Sequence, residues 1–166
     1  MPLSSKILRL SLVCPIVLCL AFVGCGGEPR PDGFPKLYPV SLTFIQEGEP
    51  VADAAVILLP QDDNRWSSGG ATDANGVAVL RTHGRFLGVP VGKYKVMVTK
   101  QEIVPIGATT PDPLGAYGLT NSYDLINPDF FNPNRTPFEI EVVSGRNQFE
   151  PIELGRKVRI RVPSTF

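Results

Sequence analysis

Oxygen-bearing side chains cluster twice in this sequence, at Asp62-Asp63-Asn64 and at Asp73-Ala74-Asn75-Gly76. Calcium takes roughly 6–8 oxygen ligands, so each stretch is a partial donor set. The closing carboxylate of a calcium loop that starts at Asp73 falls where Gly84 stands, so that set is incomplete. Asp and Asn in such a stretch also serve turns, by accepting backbone N–H bonds. His83 is the only imidazole, which excludes a His-rich metal site and any mechanism needing two imidazoles. No Gly-x-Ser-x-Gly elbow is present. Lys157, Arg159 and Arg161 alternate with Val158, Ile160 and Val162. That row could hold an anionic polymer or lipid headgroup, or be a solvated strand face that protects an edge. Tyr117, Tyr123, Phe130 and Phe131 lie in a Pro-rich section, 101–135. Rings there could form a surface for sugar or peptide, or pin the section onto the domain. These residues predict a protein that is not an enzyme and carries no metal and no cofactor. The rival is a small hydrolase or metal-dependent enzyme built on Asp62, Asp63, Asp73 and His83.

The N-terminus reads as an address. Residues 1–10 carry Lys6 and Arg9 and no acid, and residues 10–24 are uncharged and mostly apolar. A basic segment followed by a short apolar one is the pattern of a secretory signal. A membrane-spanning helix needs about 20 apolar residues, and Pro15 interrupts this run. The run ends Ala21-Phe22-Val23-Gly24-Cys25, which resembles a bacterial lipobox. The resemblance implies cleavage before Cys25 and lipidation of its thiol, with the membrane as a partner through acyl chains. An ordinary cleaved signal with an incidental Cys is the alternative. Cys14 and Cys19 would leave with the signal, so no disulfide is expected. Gly26 after the Cys, where an acid would favour the inner membrane, points to an outer membrane or cell surface. Residues 25–36, rich in Gly, Pro and charge, are predicted to be a flexible tether.

Residues 37–166 must then form the domain. The 166-residue chain has 16 Lys+Arg against 16 Asp+Glu, so no basic excess exists to neutralise nucleic-acid phosphates. Its 16 Gly and 17 Pro disfavour a helical protein. Apolar residues alternate at Val40-Leu42-Phe44, Tyr94-Val96-Val98 and Phe138-Ile140-Val142, and Ala54–Leu59 is a short apolar run. Those patterns predict strands. Glu47–Pro50, Thr72–Gly76, Gly88–Gly92 and Ser144–Asn147 read as turns. Gln61–Gly70 reads as a polar loop and 101–135 as one long loop. About seven short strands with regular turns predict an all-β sandwich.

Three segments in order carry a second resemblance. They are Gly48-Glu49-Pro50-Val51-Ala52-Asp53-Ala54-Ala55-Val56, Thr72-Asp73-Ala74-Asn75-Gly76-Val77 and Val89-Pro90-Val91-Gly92-Lys93-Tyr94-Lys95-Val96. This progression resembles the carboxypeptidase regulatory-like domain of bacterial envelope lipoproteins. That resemblance implies a seven-stranded transthyretin-like (Ig-like) sandwich. It also implies a binding, adhesive or scaffolding role at the cell envelope, with an envelope protein or glycan as partner. One transthyretin-like family hydrolyses an intermediate of urate breakdown. Its several His and its C-terminal Tyr-Arg-Gly-Ser are missing here.

Overall fold

A computed structural model describes residues 30–62, 65–106 and 120–163. The chain divides into two compact units, Met1–Phe34 and Pro35–Phe166. Of the first, residues 30–34 are described. There the Phe34 amide donates to the Pro31 carbonyl at 3.1 Å, and the Arg30 guanidinium lies 5.8 Å from the Phe34 ring centroid. The expected signal segment 1–24 and Cys25 lie outside the described residues.

The second unit is all-β, as its alternating patterns predict. Its strands are β1 (Leu37–Tyr38), β2 (Ser41–Gln46), β3 (Glu49–Pro50), β4 (Ala55–Pro60), β5 (Ser68–Ala71), β6 (Val77–Val79), β7 (Arg81–Thr82), β8 (Phe86–Leu87), β9 (Val89–Pro90), β10 (Gly92–Thr99), β11 (Gln101–Pro105), β12 (Thr120–Asp124), β13 (Glu139–Val142), β14 (Ile152–Glu153) and β15 (Ile160–Arg161). A 3-10 helix spans Pro128–Phe131. The largest sheet is antiparallel, in the order β13-β10-β4-β5-β7-β8. A second sheet runs β14-β2-β3, with β6 also on β2. Its β14–β2 pairing is parallel, with Ile152 opposite Phe44. β1 pairs β9, and β11-β12-β15 form a separate three-stranded sheet.

Period-two alternation places the core. β2 buries Leu42, Phe44 and Gln46 and turns Ser41 and Thr43 away, so register decides which face is apolar. β4 buries Val56 and Leu58, β10 buries Tyr94, Val96 and Val98, and β13 buries Ile140 and Val142. These join Ala78, Leu80 and Leu154 in one cluster fed by both larger sheets, a sandwich-like arrangement. Burying a side chain the size of Phe44 or Leu58 contributes about 1.5–3 kcal/mol. Tyr94 is fully buried, and its hydroxyl donates to the Pro90 carbonyl at 2.9 Å, which offsets the cost of burying an O–H.

The turns follow their residue types. Glu47 and Gly48 have φ of 54° and 78° and join β2 to β3 in a two-residue hairpin, which demands positive φ at both positions. At Gly76, φ is +74°, and a Cβ there would collide with the Phe44 carbonyl. Only glycine fits.

Within the expected turns, Glu49–Pro50 and Val89–Pro90 form the short strands β3 and β9, and two expected loops also need correction. Gln61–Gly70 was expected to be a loop throughout, yet Ser68–Ala71 forms β5 inside the largest sheet. Its Ser-Gly-Gly-Ala sequence carries no apolar alternation because the glycines serve close backbone approach. A Cβ on Gly69 would stand 2.7 Å from the Val56 carbonyl oxygen. The expected long loop at 101–135 is also corrected. β11 and β12 pair from Gln101↔Asp124 to Pro105↔Thr120, and β15 adds at Tyr123↔Arg161. None of these strands is buried on either face, so no hydrophobic period marks them.

Candidate functional site

Of the polar residues that suggest metal or acid–base chemistry, Asp73 is spent on structure. Asp73 Oδ1 accepts from the Asn75 and Val77 amides, both at 2.9 Å, and the Gly76 amide donates to the Asp73 carbonyl at 2.9 Å. The bond from the Val77 amide is the largest influence holding the Asp73 carboxyl below its ordinary value. An Asx turn of this kind fixes the hairpin into β6. The Asp62 carboxylate lies over Gly92, with Oδ2 2.9 Å from where a Cβ on that glycine would begin. His83 is exposed in the β7–β8 turn, 4.9 Å from the Trp66 ring between centroids. Asp63 lies outside the described residues. Among the described residues no three His, Cys, Asp or Glu side chains form a group that could hold a metal ion, so Asp62, Asp73 and His83 do not converge.

The C-terminal basic row is paired residue by residue. Lys157 Nζ contacts Glu49 Oε2 at 2.6 Å, which lowers the Glu49 carboxyl and raises the lysine. Arg159 Nε donates to Glu102 Oε2 at 3.0 Å, and its guanidinium carbon lies 3.7 Å from the Tyr123 ring centroid. The Glu102 hydrogen bond raises Arg159 further above its ordinary value. Arg161 donates to Asn121 Oδ1 at 2.7 Å. Arg159 and Arg161 therefore clasp β11 and β12, and Lys157 reaches β3.

The four candidate aromatics do not form one platform among the described residues. Tyr117 lies outside them. Tyr123 is half-buried on β12, with one ring face under Arg159. Phe130 sits in the 3-10 helix, packs on the core and meets Phe138 edge-on at 4.9 Å between centroids. Phe131 is 42% exposed on the same helix. Asn127 caps that helix, its side-chain oxygen accepting from the Asp129 amide at 3.1 Å.

A different cluster was not singled out in the sequence. Arg65 and Trp66 precede β5, Arg81 lies on β7, and His83 and Arg85 flank Gly84 in the β7–β8 turn. The turn is held by the Arg85 amide donating to the Thr82 carbonyl at 3.2 Å. The His83 amide donates to the Ser67 carbonyl at 3.1 Å, which brings the Arg65–Ser67 segment alongside. Arg65 stacks 5.2 Å from the Trp66 ring centroid, a contact worth about 0.5–1 kcal/mol at an exposed site. Arg81 Nη1 donates to the Arg85 carbonyl at 3.1 Å. Beneath them, the buried Ser68 and Thr82 hydroxyls contact at 3.0 Å, and Thr82 donates to the Gly88 carbonyl at 2.7 Å. The available signal was the single Trp flanked by Arg65 and, further on, the Arg81-x-His83-x-Arg85 alternation.

Comparison with protein-family models, with curated proteins and with solved structures found no match for this chain. No helix among the described residues is long and apolar enough to cross a membrane.

Proposed function

We propose that this chain is a non-catalytic, lipid-anchored protein of the cell envelope, whose transthyretin-like sandwich acts as a binding, adhesive or scaffolding module. The observation that carries the reading is Gly24-Cys25 at the end of a short apolar run with basic residues before it. Acyl chains contribute about 0.8 kcal/mol per buried CH2, and two or more give stable anchoring. Three features support a structural module. The Asp73 carboxylate is committed to its turn, the Tyr94 hydroxyl to Pro90, and the buried Ser68, Thr82 and Thr136 hydroxyls to hydrogen bonds within the domain. The domain-family reading rests on the ordered Gly48–Val56, Thr72–Val77 and Val89–Val96 segments, which cover β3 to β4, the turn before β6, and β9 to β10.

Membrane fractionation of wild type and Cys25→Ala tests this. Wild type should pellet with membranes and take up radiolabelled palmitate, and the variant should do neither. A variant that stays in the pellet would remove the anchor from the proposal.

A further inference from the structure

We infer that the corner formed by Arg65, Trp66, Arg81, His83 and Arg85 is a binding surface for an acidic polysaccharide, one carrying a carboxylate on its repeating sugar. The inference names a ligand for the binding-module reading and rests on it. It does not depend on the anchor.

The corner differs from the other basic region in where its charge goes. Lys157 and Arg159 each meet a carboxylate, and Arg161 meets an amide oxygen. Arg65 makes its contact with an indole ring and Arg81 with a backbone carbonyl, so among the described residues neither has a carboxylate partner. Both side chains are exposed, and an exposed His83 and Arg85 stand in the adjacent turn. Arg65 and Arg81 thus place two guanidinium groups without a carboxylate partner among the described residues at one corner of a chain that is neutral overall. A local patch on a neutral protein suits a ligand with spaced charges rather than the dense phosphates of nucleic acid.

The geometry also prepares the cations. A guanidinium laid on Trp66 keeps its N–H donors at the periphery of the stack and loses less freedom on binding than a free side chain. Arg81 is tethered through one nitrogen to the Arg85 carbonyl, which leaves its remaining donors pointing elsewhere. The turn is tight, with φ of 52° at His83 and 70° at Gly84. A non-glycine residue at positive φ is uncommon, and the turn uses that conformation to set the imidazole beside the indole. Carboxylates match the guanidinium fork in shape, and sugar rings pack on aromatic and apolar surface. The half-buried Trp66, beside His83, supplies that surface.

Affinity electrophoresis of the purified full chain tests the inference, with polygalacturonate in the gel as the probe and dextran as the neutral control. Polygalacturonate should retard the wild type and dextran should not, and added salt should weaken the retardation. Arg65→Gln with Arg81→Gln should weaken it by about tenfold or more, and Lys157→Gln with Arg161→Gln should leave it unchanged. Arg65→Lys, which keeps the charge but loses the planar fork, should fall between, and it serves as a second variant should the double one not fold. The inference is overturned by an unretarded wild type or by equal retardation of the Arg65/Arg81 variant. It is also overturned if the corner binds phosphatidylglycerol vesicles and not polygalacturonate, which would make it a lipid-facing patch. Loss of membrane fractionation in Cys25→Ala with retained polygalacturonate binding separates failure here from failure of the anchor.

Discussion

The sandwich and the three-stranded β11-β12-β15 sheet are built from the same kind of strand by different forces. In the sandwich, Leu42, Phe44, Leu58, Tyr94 and Val96 are buried to the last atom, and one apolar cluster joins both sheets. In the small sheet, Ile103 is 66% and Ile160 44% exposed, and polar contacts predominate. Arg159 ties β15 to Glu102 and Tyr123, Arg161 ties it to Asn121, and Gln101 donates to Asp124 at 2.9 Å. Between the two regions stands Gln46, a buried side chain on β2. It donates to the Arg156 carbonyl at 3.1 Å and the Leu125 carbonyl at 3.4 Å. Burial carries stability in one region, and hydrogen bonding carries placement in the other. Exposed ion pairs contribute about 0–1 kcal/mol, so the small sheet opens at lower free energy than the sandwich.

The largest effect should come from the core. Phe44→Ala should cost about 3–5 kcal/mol in urea unfolding, against less than about 0.5 kcal/mol for Ile103→Ala. Equal losses would erase the distinction between the regions. Gln46→Ala comes next. It leaves the Arg156 and Leu125 carbonyls without their donor and should cost about 1–3 kcal/mol. Hydrogen exchange should then quicken in β12 and β15 while β10 keeps its protection. Uniform acceleration would mean that the two regions open as one. Acid should act most gently. Lys157 depresses the Glu49 carboxyl, the Val77 amide that of Asp73, and Lys95 that of Glu139. Each therefore adds stability that is full above the ordinary value, 4.5 for Glu and 3.8 for Asp, and is lost as pH falls through the lower folded value. A pH titration followed by hydrogen exchange should show the 73–77 turn and the Glu49–Lys157 contact loosening while the β2 and β10 amides stay protected.

The sequence made the sandwich legible because burial on one face writes itself as alternation. Val40-Leu42-Phe44 and Tyr94-Val96-Val98 announce β2 and β10 to within a residue or two. Asp73-Ala74-Asn75-Gly76 announces its turn for the same reason that it mimics a metal loop, since both need oxygens at short spacing. β5 was hidden because Gly69 and Gly70 carry no pattern, and what they provide is space. β11 and β12 were hidden because a strand solvated on both faces needs no apolar period. Of the candidate site, residue types were readable but pairing was not. Lys157, Arg159 and Arg161 look like a free basic face until Glu49, Glu102 and Asn121 arrive from 108, 57 and 40 residues away. Arg65 and Arg81 look unrelated until the β5–β7 pairing brings the segment before β5 alongside the β7–β8 turn.

The parallel pairing of β14 with β2 has a kinetic meaning. Strand β2, near the start of the domain, gains this neighbour only when Ile152 and Glu153 have been made. Gln46 likewise waits for Arg156, 110 residues further along the chain. Closing so long a loop costs entropy before any contact repays it, and folds dominated by distant pairings assemble slowly. The β2 edge therefore stays open until residues 152–156 have been made. Under the proposed export, that delay would favour threading of the chain before it folds.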